Sequence, residues 1–295
     1  MKAKVILKAL SMLVLIVAVS LATVQLSKNG KTESVAKDTT YEQTISRGVI
    51  KAGYVVYAPG SIKDPNTGEL SGVFVDTLEE AANNMGMKVE WTEEVGWATM
   101  IEGLEAGRYD VVGTGIWPTS TRGKLVDFTN PLFYSVLDAF VRTDDNRFNT
   151  DLSKVNDPSV KIAAIDGELS SIIAKNQFPL AASASMPQMS EISTMLLSVV
   201  NGKADMVFTE PYAVNKFLET NPGTLKNITL KNPIQTSGNA MMIRKGDDQF
   251  KIMLNIATDE LLNNGFVNNA ITKYEKDFPG SYYRVAAPYV VPEVK

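Results

Sequence analysis

The stretch MKVEWTEEVGWATMIEGLEAGRYDVVGTG, Met87 to Gly115, is where the fold class is decided. Met87, Val89 and Trp91 alternate with Lys88, Glu90 and Thr92, the two-residue period of a half-buried strand. Trp97, Met100, Ile101 and Leu104 then recur at helical spacing until Gly107, and Tyr109 to Val112 is a second apolar strand. Upstream, Ile50 to Tyr57 reads as a strand and KDPNTGELSG (Lys63 to Gly72) as turns, after which Val75, Leu78, Ala82 and Met85 stripe a helix stopped by Gly86. Strand, helix, strand, helix, strand in this order predicts a parallel sheet with crossover helices.

The downstream half repeats the theme without repeating the sequence. Val160 to Ile165 reads as a strand, Leu169 to Ala174 as a short helix, and Ile192, Met195, Leu196 and Val199 as a helical stripe ended by Gly202. Met206 to Phe208 is the next strand, and Pro211 stands where a first-turn proline opens a helix. Ala240 to Ile243, Phe250 to Leu262 and Val267 to Tyr274 close the pattern as a strand and two helices. The expected fold class is α/β, two lobes with a ligand cleft between them.

Composition narrows the function. The 295 residues include no cysteine, which excludes disulfides, thiolate chemistry and a lipid-modified N-terminal cysteine. There is no histidine either, so the commonest general base and metal ligand are both missing. A formal net charge of −4 argues against nucleic acid as a partner.

Lys2, Lys4 and Lys8 precede an apolar run from Ala9 to Leu26, so residues 1–26 read as a signal peptide or a retained N-terminal membrane anchor, with Ser20 and Ala22 at a peptidase spacing. Either way the body of the chain is expected outside the cytoplasm, in the periplasm or at the cell surface. Residues 27–44 are polar and aperiodic and read as a flexible spacer.

Six segments resemble the family of extracytoplasmic amino-acid-binding proteins that feed ABC importers. They are GYVVYAP (Gly53 to Pro59), TGELSGVFVD (Thr67 to Asp76), LEAGRYDVVGTG (Leu104 to Gly115), TSTR (Thr119 to Arg122), VDFTNPLFY (Val126 to Tyr134) and NGKADMVFTE (Asn201 to Glu210). The resemblance implies a type II periplasmic-binding fold that closes on its ligand. The first lobe would be residues 45–140 with 239–295, and the second 141–238. It also implies a small amino acid as ligand and an ABC permease as partner, with no cofactor, no metal and no catalytic residue.

A free amino acid presents a carboxylate and an ammonium that a dry cleft must pair. Arg122 is the candidate for the carboxylate, since a guanidinium offers two parallel donors and the resemblance places the family's ligand-binding arginine there. Its rival reading is a surface pair with Asp127. Gly115 and Trp117 are expected to add backbone donors, with Thr119 beside them. Glu210 is the candidate for the ammonium, against the alternative of an acid that merely opens the helix at Pro211. Tyr57, Trp97 and Trp117 are expected to form the side-chain wall. On the second lobe, Glu168 and Ser170 stand at a helix N-terminus, where Glu168 would oppose a second anion. Neutral amino acids are therefore expected ahead of charged ones. Two alternatives stay open: an enzyme resembling cyclohexadienyl dehydratases, and a ligand-sensing module for a membrane receptor.

Overall fold

The α/β alternation folds into an 11-stranded sheet bent into two lobes, with a separate two-stranded hairpin of Ile62–Lys63 and Leu70–Ser71, in a computed structural model describing residues 39–149, 151–279 and 282–285. The strands are β1 (Val49–Tyr54), β2 (Ile62–Lys63), β3 (Leu70–Ser71), β4 (Lys88–Glu94), β5 (Val111–Ile116), β6 (Val126–Phe128) and β7 (Phe133–Arg142), followed by β8 (Lys161–Ile165), β9 (Ala182–Met186), β10 (Met206–Thr209), β11 (Leu225–Asn227), β12 (Gln235–Arg244) and β13 (Tyr283–Arg284). The helices are α1 (Thr40–Arg47), α2 (Val73–Asn84), α3 (Met100–Glu105), α4 (Leu169–Gln177), α5 (Ile192–Val200), α6 (Pro211–Thr220), α7 (Asp248–Asn263) and α8 (Phe266–Glu275).

The sheet runs β4-β1-β5-β12-β7-β10-β8-β9. At one end β4, β1 and β5 are parallel, as the crossover helices α2 and α3 require, and β12 closes them antiparallel. At the other end β10, β8 and β9 are parallel and β7 closes them antiparallel. Within the sheet, among the described residues, the two ends meet in the pairing of Phe133–Leu137 in β7 with Gln235–Asn239 in β12. Each lobe buries its own core. One gathers Ile50, Phe74, Leu78, Phe133 and Phe250 under α2, α7 and α8. The other gathers Ile162, Ile173, Met206 and Phe208 under α4, with Phe178 stacked on Phe208 at 5.2 Å, while α5 packs on the opposite face of these strands against Phe140, Ala163, Ile165 and Val207.

Three expectations shift. The spacer does not extend to residue 44, because Thr40–Arg47 is helical and its Thr40 and Thr44 are buried. Arg244 donates to Thr40 Oγ1 at 2.7 Å and Thr40 donates to Asp247, so these polar side chains tie the helix to the start of α7 although it lacks an apolar stripe. Strand β1 ends at Tyr54, short of Tyr57, which forms an isolated bridge with Ser61. The helix expected from Trp97 begins at Met100, leaving Trp97 in the loop before it. The signal or anchor segment and the spacer before residue 39 lie outside the described residues. Among the described residues no helix is long and apolar enough to cross a membrane.

Candidate ligand-binding site

The loop that carries Tyr57 is fixed by the helix behind it. The first amides of α2, at Val73 and Phe74, donate to the carbonyls of Pro59 and Gly60 at 3.1 and 2.9 Å. Gly72 permits this approach: its φ is +123°, and a Cβ there would lie 2.6 Å from the Gly60 oxygen. Tyr57 then stands edge-on to Trp97 at 5.7 Å and to Tyr212 at 6.0 Å, one aromatic corner drawn from both lobes.

Arg122 opens a single 3-10 turn after β5, and Thr119 Oγ1 accepts its backbone N–H at 3.2 Å. Its side chain points inward, with the residue only 5% exposed. One Nη donates to the Trp117 carbonyl at 3.0 Å and the other to the Gly167 carbonyl at 2.8 Å, so the guanidinium already bridges the lobes. Five N–H donors belong to a guanidinium, and these two bonds use only two of them. Burial lowers its pKa to about 10, with Glu168 opposing the shift, and the group stays charged at physiological pH. The surface pairing with Asp127 does not occur, because Asp127 accepts from Lys245 and from the Gly246 amide.

Glu168 caps its own helix. Its Oε2 accepts from the Ser170 amide at 2.6 Å and from the Ser170 hydroxyl, at the positive end of α4. Burial pushes this carboxyl up, while Ser170 and Arg122 pull it down. Glu210 behaves differently. It stands at the N-cap of α6, ahead of Pro211, yet makes no capping bond; one oxygen accepts from the Ser135 hydroxyl. Its other oxygen, Oε2, is buried with no hydrogen-bond partner. Burial pushes Glu210 up to about 7; the Ser135 hydroxyl and the nearby Tyr57 and Tyr212 hydroxyls, neither of which meets hydrogen-bond geometry at Oε2, oppose that and Glu168 adds to it.

These groups line a tight cavity of about 20 Å³ between the lobes, walled by Tyr57, Trp97, Gly115, Trp117, Arg122, Leu137, Glu168, Leu169, Glu210 and Asn239. Of the residues expected from sequence, Thr119 and Ser170 are outside this wall, their hydroxyls committed to Arg122 and Glu168. Leu137, Leu169 and Asn239 were not anticipated; the first and last sit on β7 and β12, whose meeting no local pattern announces.

At the mouth the lobes touch directly. Gln188 Oε1 accepts from the Ala98 amide at 3.0 Å and the Thr99 hydroxyl at 3.3 Å, across the cleft. Gly167, at φ +78°, packs so closely that a Cβ would lie 2.6 Å from the Ala98 nitrogen. Gln188→Ala removes the clasp without touching the cavity wall. It is expected to weaken ligand affinity about threefold, chiefly through faster release, as loss of a solvent-accessible hydrogen bond predicts. Stopped-flow dissociation checks this, and an unchanged off-rate in the folded variant would refute it.

Comparison with known proteins agrees with this architecture. The family model for bacterial extracellular solute-binding proteins, family 3, matches residues 50–277, and the chain belongs to that family. The L-cystine-binding protein TcyA of Bacillus subtilis (strain 168) is 26% identical over 90% of this chain and 97% of its own length. The "Probable histidine-binding protein" of Campylobacter jejuni is 26% identical over 74% of this chain and 81% of its own. Among solved structures, an ancestral amino acid-binding protein described as a precursor of cyclohexadienyl dehydratase superposes with a TM-score of 0.67 at 25% identity, over 80% of this chain and 99% of that one.

Proposed function

We propose that this chain captures a small amino acid outside the cytoplasm by lobe closure and delivers it unchanged to an ABC permease. One observation carries the reading: a buried guanidinium, Arg122, and a buried carboxylate oxygen without a partner, on Glu210, line the same cavity. The ligand carboxylate pairs with the first and its ammonium with the second. Glu168 has its charge compensated by α4 and Arg122, and Leu137, Leu169 and the three aromatics supply an apolar wall, which favours a neutral side chain. Residues 1–26 act in export, as a cleaved signal or as an anchor.

A second reading, a cationic amino acid, is favoured by the two carboxylates facing one guanidinium. A thermal-shift screen of the exported domain against the protein amino acids and L-cystine separates the two. A ligand at about a hundred times its Kd adds about 2.7 kcal/mol of stability, or roughly 5 °C or more in Tm. Mass spectrometry of the recovered ligand is expected to find it unchanged. Turnover of a cyclohexadienyl carboxylate, or no shift with any amino acid, would overturn the reading.

A further inference from the structure

Four buried side chains form one hydrogen-bonded series beside the cavity. Trp117 Nε1 donates to Asn239 Oδ1 at 3.0 Å, Asn239 Nδ2 donates to Ser135 Oγ at 2.8 Å, and the Ser135 hydroxyl donates to Glu210 Oε1. The series crosses both strands that join the lobes, with Ser135 on β7 paired to Ser237 and Asn239 on β12 paired to Phe133.

Its direction is fixed at one end. An indole N–H can only donate, so Asn239 must turn its carbonyl to Trp117 and its amide NH2 to Ser135. Ser135 therefore accepts, and its single hydroxyl proton is left for Glu210. Without the indole donor the amide is free to turn over. Ser135 would then donate to Asn239, and a protonated Glu210 would donate to Ser135. That reversed series is equally well bonded, but it leaves Glu210 neutral.

We propose that Trp117, Asn239 and Ser135 are positioning residues that hold Glu210 as an acceptor with Oε2 free, so that the site selects ligands carrying a cationic N–H donor there. This rests on the amino-acid-binding reading. It also gives Trp117 a second task besides lining the cavity. The other ionisable groups around Glu210 are the hydroxyls of Tyr57, Tyr212 and Tyr282, the carboxyl of Glu168 and, through Glu168, Arg122. Burial raises all three tyrosines well above their usual range, and it also pushes up the Glu168 carboxyl, which is the other carboxyl in this group.

The test has two arms. In the first, carbon-13 NMR of glutamate-labelled, ligand-free protein follows the Glu210 carboxyl against pH, its signal assigned by its loss in Glu210→Gln. Trp117→Phe and Ser135→Ala are each expected to raise the Glu210 midpoint by about one pH unit, while Ser135→Thr, which keeps the hydroxyl, restores it. In the second, calorimetry with the tightest binder among the protein amino acids and L-cystine is expected to show roughly tenfold weaker binding at pH 7 for the first two variants. A midpoint that stays in place in both Trp117→Phe and Ser135→Ala overturns the proposal. So does a shifted midpoint with unchanged affinity. Failure of every amino acid to bind the wild-type protein overturns the underlying reading instead, and is seen before any variant is made.

Discussion

Arg122→Ala is expected to abolish amino-acid binding while leaving the chain folded. The guanidinium is buried and spans from the Trp117 carbonyl to the Gly167 carbonyl, so its removal takes away both the partner proposed for the ligand carboxylate and a bridge between lobes. It also leaves Glu168 without its nearest cation. Truncating one partner of a desolvated charge pair costs about 2–5 kcal/mol, or roughly thirty-fold to several thousand-fold in Kd. Arg122→Lys is expected to recover little, because an ammonium cannot replace a planar fork. Arg108→Ala is the control: Arg108 is half exposed and pairs with Glu93 at 3.3 Å on the surface, a type of pair that contributes little. Calorimetry on the three variants, with circular dichroism to confirm folding, decides it. Near-wild-type affinity in a folded Arg122→Ala protein would remove the anchor of the binding reading.

Glu210→Gln is expected to act in opposite directions on stability and on binding. In the folded, ligand-free protein burial holds the Glu210 pKa at about 7, against an ordinary value of 4.5. Between those two pH values the folded chain retains a proton that the unfolded chain releases. Stability therefore falls as pH rises through this window and stays lower above it, by an amount on the order of 3 kcal/mol. Glutamine does not titrate. The variant's advantage should be absent at pH 4, grow through the window and level off above pH 7, as urea denaturation at several pH values will show. Affinity is expected to drop by roughly thirty-fold or more at pH 8, where the wild-type carboxylate is charged, and the variant's affinity should become nearly independent of pH. Equal stability at pH 8 together with unchanged affinity would mean that Glu210 serves only the start of α6.

How much of this was legible depended on whether the information was local. The stripe Val75, Leu78, Ala82 and the stop at Gly86 lie on one helix, and α2 ends within two residues of that stop. Pro211 opens α6 as its ring geometry dictates. Strand β9, ASASM, was missed because small residues with weak strand preference carry no alternation of hydrophobicity; pairing with β8 holds it in place. Helix α1 was missed because its buried side chains are threonines, held by Arg244 and Asp247 from the far end of the chain. The same division applies to the site. Arg122, Glu168 and Glu210 stand out by residue type, and Tyr57, Trp97 and Trp117 by size. Asn239 and Ser135 are 104 residues apart, and only the crossing of β7 and β12 joins them. Thr119 and Ser170 carried the right chemistry, but their hydroxyls answer nearer backbone and carboxylate groups.

The unpartnered oxygen of Glu210 has a consequence for the fidelity of transport. A permease reads the outside of a closed binding protein and has no view of the cavity, so every molecule that shuts while empty is a false report. With Glu210 in its proposed role, closing over the unsatisfied carboxylate oxygen leaves a bond unmade, and closing over an ammonium makes it. Each 1.4 kcal/mol of that difference lowers the ratio of empty to filled closures about tenfold. The defect thus sets an error rate, and a chain engineered to satisfy that oxygen internally would close more readily and signal less truthfully.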